Sequence, residues 1–214
     1  MASKRFTKAA SLIEQKTPYT LERAVALLKE LPPAKFDETV ELSVSLTIDP
    51  KKTDQIVRGT VTLPHGTGKT RKVVVFCRGE KETQAKEAGA DTVGAADLIE
   101  KIAGGWLDFD VAVATPDLMR DVSRLGKILG PRGLMPNPKA GTVTEDVAKA
   151  VKDVKLGKVE FKMDKLSNIH FVIGKASFKP EQLIEIGQVA VEAIVRARPS
   201  SVKGRMIRQL SLAS

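Results

Sequence analysis

The 214-residue chain is short of the groups that build disulfide frameworks, metal centres and membrane spans. Its single cysteine, Cys77, lies inside the apolar run Val73-Val-Val-Phe-Cys77, so a disulfide framework is excluded and a reducing cytoplasm is the natural home. Only two histidines occur, His65 and His170, and neither has a cysteine or a second histidine nearby at metal-ligand spacing. No metal or cofactor is expected. No apolar run approaches the ~20 residues of a spanning helix, and Met1-Ala-Ser-Lys-Arg5 lacks the apolar segment of a signal peptide, so no membrane partner is expected. Acidic charge is also scarce: 26 Asp+Glu against 35 Lys+Arg leave a net +9, which favours a polyanionic partner.

Motifs for nucleotide chemistry are missing as well. Gly66-Thr-Gly-Lys-Thr70 resembles the end of a phosphate-binding loop, but Leu63 stands where that loop needs its first glycine. Arg78-Gly-Glu-Lys81 lacks the G-x-G-x-x-G turn of dinucleotide sites. The pairs Asp108/Asp110 and Glu145/Asp146 fall at a strand entry and a helix first turn, where solvation and the helix dipole account for them. The chain is therefore expected not to be an enzyme. A nucleotide-dependent enzyme built on the central α/β region is the alternative.

Periodicity places helices over Lys4 to Gln15 and Leu21 to Leu31, with Thr20 as N-cap and Pro32-Pro33 as stop. From Thr39 to Ile48 the alternation is unbroken. Val40, Leu42, Val44, Leu46 and Ile48 fall on one face, and Thr39, Glu41, Ser43, Ser45 and Thr47 on the other. This predicts a strand whose polar face is free for a partner. A second strand is expected over Gln55 to Leu63. Beyond it the pattern changes to strands at 72–77, 92–94 and 110–115 alternating with helices at 80–88, 96–103, 116–125 and 144–154, which implies a small parallel sheet covered on both faces. After Gly157 the segments 159–163 and 169–173 alternate around the turn Asp164 to Asn168 and predict a hairpin. A helix over Glu181 to Arg198 and a strand over Arg205 to Leu212 complete the chain. The fold class is α/β: a discontinuous α+β outer domain, 1–66 plus 158–214, with a Rossmann-like α/β domain, 67–157, inserted between hinges at Gly66, Gly68 and Gly157.

The outer segments carry 20 Lys+Arg and 13 Asp+Glu, the insert 15 and 13, so the polyanion footprint belongs mainly to the outer domain. Lys35 and Phe36 precede the polar-faced strand with Thr39 and Glu41. The turn brings Lys162, Asp164 and Lys165, and the approach to the last strand brings Ser200, Lys203 and Arg205. Cations contact phosphates, while carboxylates accept from 2′-hydroxyls or base amines, so this set suits RNA. For Phe36 the alternative is a core aromatic placed after two prolines.

One stretch stands apart: Leu125-Gly-Lys-Ile-Leu-Gly-Pro-Arg-Gly-Leu-Met-Pro-Asn-Pro-Lys139. Gly126, Gly130 and Gly133 supply conformational freedom, Pro131, Pro136 and Pro138 remove it, and Lys127, Arg132, Asn137 and Lys139 offer polar contacts, which predicts a long stiffened loop. A rigid connector is its plainer explanation.

This stretch closely resembles the signature of the bacterial lateral-stalk protein family of the large ribosomal subunit. The resemblance extends to Phe36-Asp-Glu-Thr-Val-Glu41, Leu63-Pro-His-Gly-Thr-Gly-Lys69, Asp164-Lys165, Ile169-His170 and Pro199-Ser-Ser-Val-Lys-Gly204, and so covers nearly the whole chain. It implies a cytoplasmic ribosomal protein, monomeric off the ribosome, that binds a stalk of large-subunit ribosomal RNA, contacts exit-site tRNA and represses its own mRNA. It aligns Phe36, Thr39, Glu41, Lys162, Asp164 and Lys165 with that family's RNA contacts. The family continues past the last strand with a Thr-Met-Gly-Pro motif, whereas this sequence stops at Ala213-Ser214, so a lower RNA affinity than the family norm is expected.

Overall fold

The computed structural model of the protein describes residues 4–14 and 17–214. Two helices open the chain, α1 (Lys4–Leu12) and α2 (Leu21–Glu30). Gln15, the expected end of the first, lies outside the described residues. Thr20 caps α2 as expected, its hydroxyl accepting from the Arg23 amide at 3.3 Å. Strands β1 (Thr39–Leu46) and β2 (Arg58–Thr62) follow. Next come β3 (Val73–Phe76), α3 (Glu80–Glu87), β4 (Thr92–Gly94), α4 (Ala96–Ala103), β5 (Val111–Ala114), α5 (Met119–Val122), α6 (Gly126–Leu129) and α7 (Val147–Lys155). The chain ends with β6 (Lys158–Lys162), β7 (Asn168–Lys175), α8 (Pro180–Arg196) and β8 (Ile207–Ala213). These elements form two compact units, Met1–Gly68 with Phe161–Ser214, and Lys69–Glu160.

In the first unit β1 is the middle strand of an antiparallel sheet ordered β7-β1-β8, and β2 pairs with β6. The alternation of β1 decides the packing. Val40, Leu42, Val44 and Leu46 are buried, as are Ile169, Phe171 and Ile173 of β7 across from them and Leu183, Ile186, Ala190 and Ile194 of α8. Burying a side chain of this size contributes about 1.5–3 kcal/mol, which makes this layer the principal stabilising one. Helix α8 starts at Pro180, where proline's missing donor costs nothing, and the Lys179 amide donates to Gln182 Oε1 at 3.0 Å.

The expected hairpin at 159–173 does not form. Strand β6 pairs with β2 while β7 pairs with β1, so the turn is a corner between two sheets. Met163 donates its amide to Val57 O at 2.9 Å, and four residues later Leu46 donates to Ser167 O at 2.8 Å. Ser167, with φ 65°, absorbs the change of direction, and its hydroxyl donates to Ile48 O at 2.6 Å. Alternation in two neighbouring segments shows that both are strands but cannot show that they pair with each other.

In the second unit the parallel sheet is ordered β4-β3-β5 and has helices on both faces. Val73, Val75 and Cys77 pack with Ala85 of α3 and with Val147, Ala150, Val151 and Val154 of α7. Val74 and Phe76 pack on the other side with Leu98, Ile102, Leu118, Val122, Leu125 and Leu129. This two-sided burial explains why β3 reads as an unbroken apolar run.

The helix expected over 116–125 is broken into 3₁₀ and α pieces. Its helical course runs on through α6 into the stretch expected to be all loop. Buried Leu118, Val122, Leu125 and Leu129 recur at helical spacing, so packing of that stripe overrides the low helix propensity of Gly126. Ser123 Oγ donates back to Met119 O at 2.6 Å within the break.

Candidate nucleic-acid interface

Antiparallel register places directly opposed residues on one face of a sheet. Glu41 is opposite Val172 and Ala213, Ser43 is opposite His170 and Ser211, and Ser45 is opposite Asn168 and Gln209. The face turned away from the core thus carries hydroxyls, amides, one imidazole and one carboxylate, with the apolar Val172 and Ala213 on either side of that carboxylate. Sequence alternation found the β1 row; the contributions of Asn168, His170, Gln209 and Ser211 depend on pairing and were not legible.

The residues expected to bind RNA fall at the two ends of this field. Thr39 is opposite Lys175, whose Nζ donates to Thr39 Oγ1 at 2.9 Å, and Lys35 and Phe36 precede it. Phe36 is 73% exposed, so it is not the core aromatic that the two prolines allowed. At the other end the Asp164 to Asn168 turn and the approach to β8 flank the end of β1. Leu46 donates to Ser167 O and Thr47 to Met206 O, each at 2.8 Å, and the Thr47 hydroxyl also donates to Arg205 O. Eight strand residues at ~3.3 Å each span roughly 25 Å, so the two groups cannot meet at one point but can grip one extended partner.

Asp164 is more than a surface acid. Its Oδ1 accepts from the Asn168 amide at 2.7 Å and the Leu166 amide at 2.8 Å. The Asn168 bond chiefly, then that of Leu166 and the nearby His170, hold its pKa below the usual carboxylate value. Glu41 is exposed and has no ion-pair partner among the described residues, which leaves its acceptor capacity open. Lys35, Lys162, Lys165 and Lys203 are likewise exposed without an acidic partner among the described residues.

The loop carrying Ser200 and Lys203 is shaped by Arg198, which the sequence did not single out. Its guanidinium donates to Val202 O at 3.1 and 2.6 Å and to Gly204 O at 2.9 Å. Arg205 is exposed, with Nε donating to Ile207 O at 2.9 Å.

The stiffened stretch lies wholly in the second unit. Pro136 and Ala140 are buried and anchor it, and the Asn137 amide donates to Thr142 Oγ1 at 2.8 Å. Lys127, Gly130, Pro131, Arg132, Gly133, Pro138 and Lys139 are exposed on its outside. Gly66, Gly68 and Gly157 all have positive φ, as a glycine-dependent chain path requires. Gly68 is also closely packed: a Cβ there would stand 2.9 Å from Lys175 Cγ and Phe178 Cε1.

The place where a nucleotide would sit in a parallel sheet is the crevice beyond the carboxyl ends of β3 and β5. Here it is lined by Arg78, Glu80, Lys81, Thr115, Asp117 and Leu118. Its two cations are matched by two acids, Glu80 and Asp117, so the lining offers no net positive charge to draw phosphates.

A family model described as the Ribosomal protein L1p/L10e family matches residues 28–214. The chain is 56% identical over 212 residues to the large ribosomal subunit protein uL1 of Rhodococcus erythropolis, covering 99% of this chain and 89% of that protein. It is 56% identical over 211 residues to the uL1 protein of Kosmotoga olearia, covering 99% and 91% respectively. With the uL1 protein of Bifidobacterium longum it shares 56% identity over 212 residues, covering 99% and 92%. A match across nearly the full length, joined to a mixed α/β architecture, leaves one conclusion: the chain belongs to the Ribosomal protein L1p/L10e family.

Proposed function

We propose that this large-subunit ribosomal protein binds large-subunit ribosomal RNA through the polar face of its β7-β1-β8 sheet and so builds the mobile lateral stalk. Lys35 and Phe36 engage the RNA at one end, and Lys162, Asp164, Lys165, Ser200, Lys203 and Arg205 at the other, with Thr39 and Glu41 accepting and donating between them. In this role it works on the cytoplasmic ribosome, assists release of exit-site tRNA and represses translation of its own mRNA; off the ribosome it is a monomer. The two units move as domains about Gly66, Gly68 and Gly157, since a few hinge residues suffice for rigid-body motion.

The single observation that carries this proposal is the uncovered sheet face, with polar residues from all three strands and bordered at both ends by lysines that have no acidic partner among the described residues. A surface left polar, flat and preorganised on a basic unit is suited to reading RNA shape and 2′-hydroxyls. The test is a gel shift of the purified protein with stalk fragments of large-subunit ribosomal RNA, challenged with excess unrelated duplex RNA. Retention of the stalk complex under challenge is expected; equal loss to the unrelated duplex would reduce the protein to a general polyanion binder.

A further inference from the structure

From the middle of the polar face to its end at the Asp164 turn, three side chains from three places in the chain line up. Ser43 Oγ lies 3.2 Å from His170 Nδ1, and His170 Nε2 lies 3.9 Å from Asp164 Oδ2. The first distance is a hydrogen bond and the second is too long to be one. Both flanking groups are open to solvent, the His170 side chain 59% and the Asp164 side chain 37% exposed.

The proton positions follow from the surroundings. Asp164 Oδ1 accepts from the backbone amides of Leu166 and Asn168, and the Asn168 side chain also bonds to the carboxylate, so a remaining lone pair of Oδ2 is what faces His170 Nε2. A carboxylate oxygen facing Nε2 favours the tautomer with its hydrogen there, and Nδ1 then accepts from the Ser43 hydroxyl. The result is a donor, Nε2–H, and an acceptor, Oδ2, facing each other 3.9 Å apart.

The three residues do not make a nucleophilic triad. The gap to the carboxylate breaks the relay, and the backbone amides of β1 and β7 on either side belong to the sheet ladders, leaving no donors for an oxyanion.

We infer that His170 Nε2 and Asp164 Oδ2 together hold one ribose 2′-hydroxyl of the bound RNA. This rests on the proposal that the sheet face binds RNA, and it adds the residues that tell ribose from deoxyribose. A hydroxyl both donates and accepts, so it can accept from Nε2–H while donating to Oδ2; at ~2.8 Å from each atom it closes an angle of about 90°. A base amine only donates, which leaves Nε2–H unmet. A phosphate oxygen only accepts, and it would be set against the Asp164 carboxylate. Deoxyribose offers neither group. His170 is a specificity residue, and Ser43 is a positioning residue that fixes its tautomer.

The test uses the full chain and a stalk fragment of large-subunit ribosomal RNA, prepared with all riboses and as a set of variants each carrying one 2′-deoxynucleotide. Wild-type protein is expected to lose about tenfold in affinity at one position of the set. His170→Ala is expected to bind the all-ribose fragment about tenfold more weakly and to lose clearly less than wild-type protein from the deoxy substitution at that same position, because only the bond to Asp164 is then left to lose. His170→Phe serves as a second variant that keeps a ring on the strand, and the melting temperature of both variants shows whether the fold is kept. Failure of wild-type protein to bind the all-ribose fragment would sink the proposed function itself. Normal wild-type binding in which every deoxy position that matters still matters as much in both variants would overturn the present inference alone.

Discussion

The ring of Phe161 fills the space that a side chain at residue 59 would need: a Cβ built on Gly59 stands 2.8 Å from Phe161 Cζ. Phe161 is 2% exposed and packs on Phe171 with ring centroids 6.1 Å apart, so displacing the ring disturbs that packing. Gly59→Ala is therefore expected to destabilise the first unit by about 1–3 kcal/mol, the usual cost of overpacking. Urea unfolding followed by far-ultraviolet circular dichroism measures it. An unchanged midpoint would mean that the ring yields freely.

Glu41 and Asp164 are both acids on the surface proposed to bind RNA, but their variants are expected to behave differently. Glu41 is exposed and structurally idle, so Glu41→Ala should leave the melting temperature alone and weaken RNA binding by about 1–3 kcal/mol, the cost of leaving a partner donor unmet. Asp164 holds the turn through two backbone amides, so Asp164→Ala should lower both stability and binding. Tighter RNA binding by Glu41→Ala in a filter assay would show that this carboxylate only repels phosphate.

The basic outer segments, with 20 Lys+Arg against 13 Asp+Glu, predict a salt-sensitive complex. With about four to six phosphates neutralised, log K against log salt should fall with a slope of roughly −3 to −5. Titration at four or more salt concentrations gives the slope, and a flat line would remove phosphate contacts from the account. Residues 69–160 alone should fold and bind the same RNA only weakly.

Asp91 provides a test in the second unit. Partial burial alone would raise its pKa, but the Lys155 ammonium at 2.8 Å and the Val73 amide at 2.7 Å outweigh that and lower it. A carboxylate whose folded pKa lies below its unfolded value of about 3.9 contributes stability above that pH and loses it as pH falls through the folded value. Wild-type protein should thus outlast Asp91→Ala in thermal melts at pH 6, with the gap closing steadily below about pH 4. A gap that stayed constant down to pH 2 would mean that Asp91 acts through packing rather than charge.

Much of this was legible in the chain because burial leaves a period. The alternation from Val40 to Ile48 marked β1 and told its buried face from its polar one, and the apolar run at Val73 marked a strand covered on both sides. Pairing was not legible. Segments 159–163 and 169–173 alternate as a hairpin would, yet a left-handed Ser167 sends them to different sheets, and nothing in the alternation records that. The same blindness hid half of the polar field, since Gln209 and Ser211 belong to it only by their register with β1. Helical turns inside the glycine-rich signature were missed for another reason: Leu125 and Leu129 complete a stripe begun at Leu118, and packing there outweighs local propensity.

The central strand of the first unit is made early and completed late. Thr39 pairs with Lys175 and Glu41 with Ala213, so both neighbours of β1 are synthesised only after the whole of Lys69–Glu160. While the polypeptide emerges, β1 therefore waits with both hydrogen-bonding edges open and its valine and leucine row uncovered. The second unit, continuous in sequence and closed by nearby pairings such as Val74 with Thr92, can condense in the meantime. Translation order thus gives the two units different biographies: one folds as it appears, and the other is exposed to misassociation until its last residues arrive.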